Sequence, residues 1–150
     1  MMRRLFAPSE SLTITGIALL VLRAWLGLTL LMNHGLEKLQ TFGTLKGDFP
    51  DPLGVGHTTS LALALFAEFL CSLLLITGMF TRLAALALVV NMGVAFLMVH
   101  RLALSGSHSG ELAFIYLAGF VTILLAGPGK FSSDQWLNAR SLRVQEAKKG

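Results

Sequence analysis

Charge is what this sequence has least of. Lys, Arg, Asp and Glu make up 13% of its 150 residues, against roughly 25% in an ordinary soluble domain. Hydrophobic residues make up 54%, and the mean hydropathy is +0.70. That deficit of charge, together with apolar runs of spanning length, places the chain in a lipid bilayer. Cysteine is nearly absent. Cys71 stands alone in an apolar run, so there is no disulfide framework within the chain and no C-x-x-C pair for thiol chemistry. The four histidines, His34, His57, His100 and His108, form no H-x-x-x-H or E-x-x-H pattern, so no metal centre is expected. No internal repeat divides the chain, which reads as a single domain over 1–150.

The basic residues are few but unevenly placed. A net charge of +4 could suggest nucleic acid, but the Lys and Arg residues gather towards the two ends, as positive-inside topology requires. No nucleic-acid partner is therefore expected. Arg3 and Arg4 before an apolar run resemble a signal peptide. That run is too long for a signal core, contains Arg23, and is followed by Met32-Asn33-His34 rather than a small-x-small cleavage site. It reads as a retained first span.

Spans are expected at about 12–32, 59–77, 83–99 and 111–126. Each approaches the ~20 residues that cross a hydrocarbon layer. Residues 1–10 form a basic tail, with Ser9 and Ser11 as candidate helix caps. Residues 34–58 and 100–110 form polar connections, and Met79-Phe-Thr-Arg82 is a tight turn. Gly127-Pro-Gly129 stops the fourth span, and the tail from Lys130 is basic and amphipathic, with Phe131 and Trp136 at an interface. With both termini on one side, that side carries Arg3, Arg4, Arg82, Lys130, Arg140, Arg143, Lys148 and Lys149, and the other only Lys38, Lys46 and Arg101. The asymmetry puts both termini in the cytoplasm. The fold class is then all-α, an integral membrane four-helix bundle, multi-pass in a bacterial inner membrane.

Polar residues inside the spans carry the functional argument. Arg23, Glu68 and Asn91 fall near the middle of the first three expected spans, so an Arg23–Glu68 pair within a buried polar layer is expected. Such a pair either locks the helices together or floors a pocket for a ligand headgroup or a proton path. Arg23, Gly27, His34 and Lys38 share one helical face, which continues that layer outwards. Glu111, at the outer end of the fourth span, lies at the same level as His34 and Lys38. The candidate ligand-binding residues are therefore Arg23, His34, Lys38, Glu68, Asn91 and Glu111. Tyr116 and Thr122 are candidates for inward hydrogen bonds.

The ordered pieces Arg23-x-x-x-Gly27, His34-Gly35-x-x-Lys38-Leu39, Glu68, Leu73-Leu-Leu-Ile-Thr-Gly78, Thr81-Arg82, Glu111 and Gly127-Pro-Gly129-Lys130-Phe-Ser-x-Asp134 resemble the DoxX family of small four-span membrane proteins. The resemblance runs from about Leu22 to Asp134. It implies a four-helix membrane bundle linked to redox systems, including a membrane subunit related to thiosulfate:quinone oxidoreductase and membrane partners of oxidative-stress and thiol enzymes. It does not fix one reaction. The expectation is a membrane subunit of a redox system that binds a quinone-like or other small amphipathic molecule. Quinone is then the one cofactor implied, and a partner supplies the electrons. The alternative is a non-catalytic anchor for a soluble redox enzyme. A homo-oligomer is compatible with either.

The orientation is directly testable. Reporter fusions at Lys46 and Gly106 should read outside, and fusions after Lys149 inside. A C-terminal reporter found outside would reverse the placement of every polar residue above.

Overall fold

A computed structural model describes residues 12–147. The expected basic tail at 1–10, the caps Ser9 and Ser11, and Lys148 and Lys149 lie outside the described residues. Those residues are helical throughout their regular segments, with no strand among them. Helix α1 is Thr13–Gln40, α2 is Phe42–Leu45, α3 is His57–Thr77, α4 is Thr81–Val99, α5 is Glu111–Ala126 and α6 is Ser133–Ala147. α1, α3 and α4 are each long and apolar enough to cross a membrane, and α5 is a shorter apolar helix.

The first helix corrects the sequence reading. It does not stop near Met32. It passes through a π-helical turn, Leu31–Gly35, and continues as Leu36–Gln40, so the expected polar connection at 34–58 is helical in its first part. Asn33, His34 and Gly35 are poor helix formers and look like a stop. Close packing overrides that preference. A Cβ at Gly35 would meet the Glu68 carbonyl oxygen at 2.6 Å, and one at Gly27 would meet Ile76 at 2.7 Å and the Ser72 carbonyl oxygen at 3.2 Å. Two glycines eight residues apart thus let α1 and α3 approach backbone to backbone, as small residues do in lipid-embedded helix pairs.

Leu30, Leu61, Leu75, Leu88, Phe120 and Ile123 are fully buried between the helices. The outer surface is apolar too. Leu125 is 75% exposed, Trp25 70% and Leu83 67%. An apolar exterior around an apolar core suits hydrocarbon on the outside.

The ends are secured by specific devices. Asp51 caps α3. Its carboxylate accepts hydrogen bonds from the Val55 and Gly56 amides at 3.0 and 2.8 Å and from the Ser60 hydroxyl at 2.7 Å. The Ser60 hydroxyl first, with those amides, holds the Asp51 carboxyl below its ordinary range. His57 Nδ1 donates to the Phe49 carbonyl at 2.6 Å, which ties the loop back on itself.

At the opposite end, α3 stops at Gly78 (φ 71°). Met79 N–H donates to Leu74 O at 3.0 Å and Gly78 N–H to Leu75 O at 3.2 Å, the paired bonds of a Schellman motif. The segment after α5 clamps this turn. The Asp134 carboxylate accepts the Phe80 and Thr81 amides at 2.7 and 2.9 Å, capping α4. The Asp134 amide donates to Gly78 O at 2.9 Å, and the Ser133 hydroxyl to Thr77 O at 2.9 Å.

Arg23 completes the clamp. It is fully buried, and its Nη2 donates to the Phe131 carbonyl at 2.7 Å. A side chain at Gly78 would collide with its Nη1. Gly54 is also left-handed (φ 68°) but has open space around it. Gly54→Ala should therefore cost about 1 kcal/mol from backbone strain alone, and Gly78→Ala roughly 3 kcal/mol or more because a clash in a packed site is added. Denaturation of the two variants in the same detergent measures the difference. Equal losses would remove Arg23 from the packing of that turn.

Candidate functional site

The helices do not pack evenly along their length. α4 and α5 form the most extensive pair, and α1 packs on the Ser72–Thr77 half of α3. α3 touches α4 along its stretch from Phe66 to the Gly78 turn, while its first stretch, His57–Leu65, makes no comparable contact with α4. The helices therefore splay towards the end that carries the 41–56 and 100–110 segments. A cavity of about 650 Å³ fills the gap. α1 contributes Leu30, His34 and Lys38 to its wall; α3 contributes residues from Ser60 to Glu68; α4 contributes Ala87, Val90, Asn91 and Val94; and α5 contributes Ala113 and Tyr116. Phe49, Pro50, Pro52 and Leu53 from the loop before α3 line its loop end.

Three π-helical turns bound this space: Leu31–Gly35 in α1, Phe66–Cys71 in α3 and Ala95–Val99 in α4. His34, Glu68 and Ala95 belong to one each. A π turn inserts a residue into the helix, which widens the backbone and re-aims the side chains that follow. Such turns often occur at functional sites, and here each contributes residues to the same cavity.

The cavity wall is largely apolar, and its polar groups are Lys38, Glu68 and Asn91, His34 and Tyr116, and Ser60, His100 and Ser109. Lys38 Nζ lies 2.6 Å from Glu68 Oε2, and Asn91 Nδ2 donates to Glu68 Oε1 at 3.1 Å. The Lys38 and Glu68 side chains are 15% and 8% exposed. Both carboxylate oxygens are thus engaged, as a buried carboxylate requires. The ammonium group keeps two further N–H donors and Asn91 keeps its carbonyl oxygen. The His34 ring meets the Tyr116 ring edge-on with centroids 6.5 Å apart, and Tyr116 stacks on Phe120 at 5.8 Å. The wall therefore offers a neutralised charge pair, an amide, an imidazole and a phenol to whatever polar group enters.

Of the residues expected to bind a ligand, His34, Lys38, Glu68 and Asn91 line this cavity. Arg23 and Glu111 do not. The expected Arg23–Glu68 pair is not formed. Across the α1–α3 contact Gly35 lies against Glu68, while Arg23 lies against Gly78. Arg23 and Lys38 are separated by roughly 20 Å of helix rise, so the same face reaches both ends of the molecule. The Arg23–Glu68 reading assumed that α1 ended near Met32, which put Arg23 at mid-helix. With α1 running to Gln40, Lys38 reaches Glu68 instead. Glu111 is exposed at the start of α5. Thr122 does not point inward; its hydroxyl bonds the Ala118 carbonyl of its own helix at 2.9 Å. Tyr116, a candidate for inward polarity alone, stands on the cavity wall. Its place as the single tyrosine in an apolar run was the available signal. Among the described residues no three His, Cys, Asp or Glu side chains gather as a metal-binding group.

Comparison with known proteins gives one family match: DoxX, over residues 18–101. The matched segment contains Arg23, His34, Lys38, Glu68 and Asn91; Glu111 and the Gly127–Asp134 clamp lie beyond it. An uncharacterized protein of Haemophilus influenzae is 30% identical over 128 residues, covering 80% of this chain and 83% of that one. An uncharacterized membrane protein of Mycobacterium tuberculosis is 26% identical over 145 residues, covering 83% of each. No solved structure matches significantly.

A double-mutant cycle tests the charge pair. Glu68→Gln or Lys38→Met alone should each destabilise the protein by about 3 kcal/mol, the scale for leaving one buried charge without its partner. The double variant should lose about 1–3 kcal/mol less than the sum. Glu68→Gln combined with Arg23→Gln should be additive, and coupling there instead would contradict this geometry.

Proposed function

The chain belongs to the DoxX family of membrane proteins, and we propose that it binds a small amphipathic molecule, quinone-like in form, in the cavity beside Lys38, Glu68 and Asn91. One observation carries this reading: a cavity of about 650 Å³, large enough for a drug-sized ligand, is apolar over most of its wall and holds a hydrogen-bonded polar cluster at Lys38, Glu68 and Asn91. That division matches a molecule with an apolar body and one hydrogen-bonding end. The free Lys38 N–H groups would donate to a ligand oxygen, and Glu68 and Asn91 would fix the ammonium that does so. The His34 imidazole, on the same wall, would offer a ring nitrogen to the ligand. Tyr116, edge-on to His34, would donate or accept from the same wall.

In this proposal the protein is the membrane component of a redox system in a bacterial inner membrane, a bundle of four spanning helices with both termini in the cytoplasm. Cys71, the single cysteine, is buried and has no partner thiol, so electrons would come from a partner protein. Arg23 and Glu111 take no part in binding. Arg23 holds the cytoplasmic end of the bundle together, where it frees the other end to open around the ligand.

Binding of decyl-ubiquinone to protein in lipid nanodiscs tests the proposal. His34→Ala, Lys38→Ala and Tyr116→Phe should each weaken binding roughly tenfold, the equivalent of one hydrogen bond of about 1.4 kcal/mol. Arg82→Ala, exposed at the far end, should bind as the parent does. Unchanged binding in all three cavity variants, with the fold intact, would favour an anchor for a soluble partner instead.

A further inference from the structure

The cavity has a side entrance. Six large apolar wall residues are also exposed: Leu63 and Phe66 on α3 and Val90 on α4, at 53%, 50% and 57%, and Leu53, Val99 and Leu112 at the end that carries the 41–56 and 100–110 segments. The first three stand on the two helices that part company above Glu68. On the opposite wall Leu30, Ala113 and Tyr116 are buried, His34 is half-buried and the Lys38 side chain is only 15% exposed; the edge-on contact of His34 with Tyr116 lies on that side. At the loop end, Phe49, Pro50, Pro52 and Leu53 line the cavity, on a loop pinned by the Asp51 bonds to Val55, Gly56 and Ser60 and by the His57–Phe49 bond. Away from that end the open side is the gap between α3 and α4, where His57–Leu65 makes no comparable contact with α4, and its lip is made of apolar side chains.

We infer that the cavity is filled sideways from the hydrocarbon layer, through the gap between Leu63, Phe66 and Val90, by an uncharged single-chain amphiphile already dissolved in the bilayer. This rests on the ligand-binding reading above and adds the route and the charge class. Two physical arguments carry it. The lip offers no polar atom to a charged headgroup in transit, and passing a charge through hydrocarbon costs at least ~2.5 kcal/mol. Inside, Lys38 is already neutralised by Glu68 at 2.6 Å. The site holds no unpaired charge to compensate an ionic ligand, but it does hold free donors and acceptors for a neutral one. A chain longer than the cavity would trail out through the lip into lipid, so the site limits the headgroup and not the tail.

A tryptophan placed deep in the cavity tests the route. Leu30→Trp is made in a Trp25→Phe, Trp136→Phe background and reconstituted in phosphatidylcholine brominated on its acyl chains; Met92→Trp serves as a second reporter should the first fail to fold. Lateral filling predicts that the reporter loses most of its emission to brominated chains, as the lipid-facing Trp25 does in the parent, and little to aqueous acrylamide. Filling the lip with Leu63→Phe and Val90→Phe should restore the emission. Strong acrylamide quenching without bromine quenching, or bromine quenching that the filled lip leaves unchanged, would overturn the side entrance. A second arm loads both proteins with decyl-ubiquinone and measures the quinone retained after desalting. Loading slowed tenfold or more by the filled lip supports route and ligand together. Loading at the parent's rate overturns the route. No quinone retained by the parent, with bromine quenching intact, supports the route and rejects the quinone-like ligand.

Discussion

The buried guanidinium of Arg23 sets the condition on which the rest of this structure depends. A charge with no exposed surface must find its partners within the protein. Arg23 donates through Nη2 to the Phe131 carbonyl at 2.7 Å, while its Nε and Nη1 have no hydrogen-bond partner among the described residues. Phe131 belongs to the segment after α5, while the turn between α3 and α4 lies directly against the arginine at Gly78. One side chain from α1 thus draws the other elements to a common point. Asp134 then secures that point through the Phe80 and Thr81 amides, so the clamp is held by hydrogen bonds.

The clamp explains why the opposite end can be open. Helices joined firmly at one end by short-range contacts need not touch at the other. The close glycine contacts of α1 with α3, and the extensive α4–α5 pair, divide the molecule into two closely packed pairs. Beyond Glu68 the two pairs separate, and three π turns occur around that level. Each changes the register of its helix and re-aims the side chains beyond it. The Asn91–Glu68 hydrogen bond crosses between the two pairs, and Lys38 holds Glu68 from its own side. That cluster lies where a ligand's polar end would sit, so the group that joins the two halves is also the group available for recognition.

The relation between sequence and site is instructive at particular residues. His34, Lys38, Glu68 and Asn91 were legible because polar residues within or beside apolar helices are costly and need a use. Their mutual arrangement was only partly legible. Glu68 and Asn91 fall at matching depths in two helices joined by a tight turn, and they meet. Arg23 was matched to Glu68 by the same depth argument, which failed because α1 is longer than its apolar run. Asn33-His34-Gly35 lowers local helix propensity, and only the packing of Gly35 on the Glu68 backbone shows why the helix continues. Glu111 was placed by its level in the chain, but level says nothing about the direction of a side chain at a helix start.

Composition and hydropathy by themselves determined that this is an all-helical chain with membrane-spanning segments, because scarce charge and long apolar runs leave few ways to satisfy a backbone outside water. The same information marked which polar side chains would need partners. Only the tertiary structure decided which partners they have. Pairing depends on the sliding register of one helix against another, and that register is set by where backbones can approach, at Gly27, Gly35 and Gly78. A shift of one helical turn would exchange the partners of every buried charge while leaving the hydropathy of the sequence unchanged.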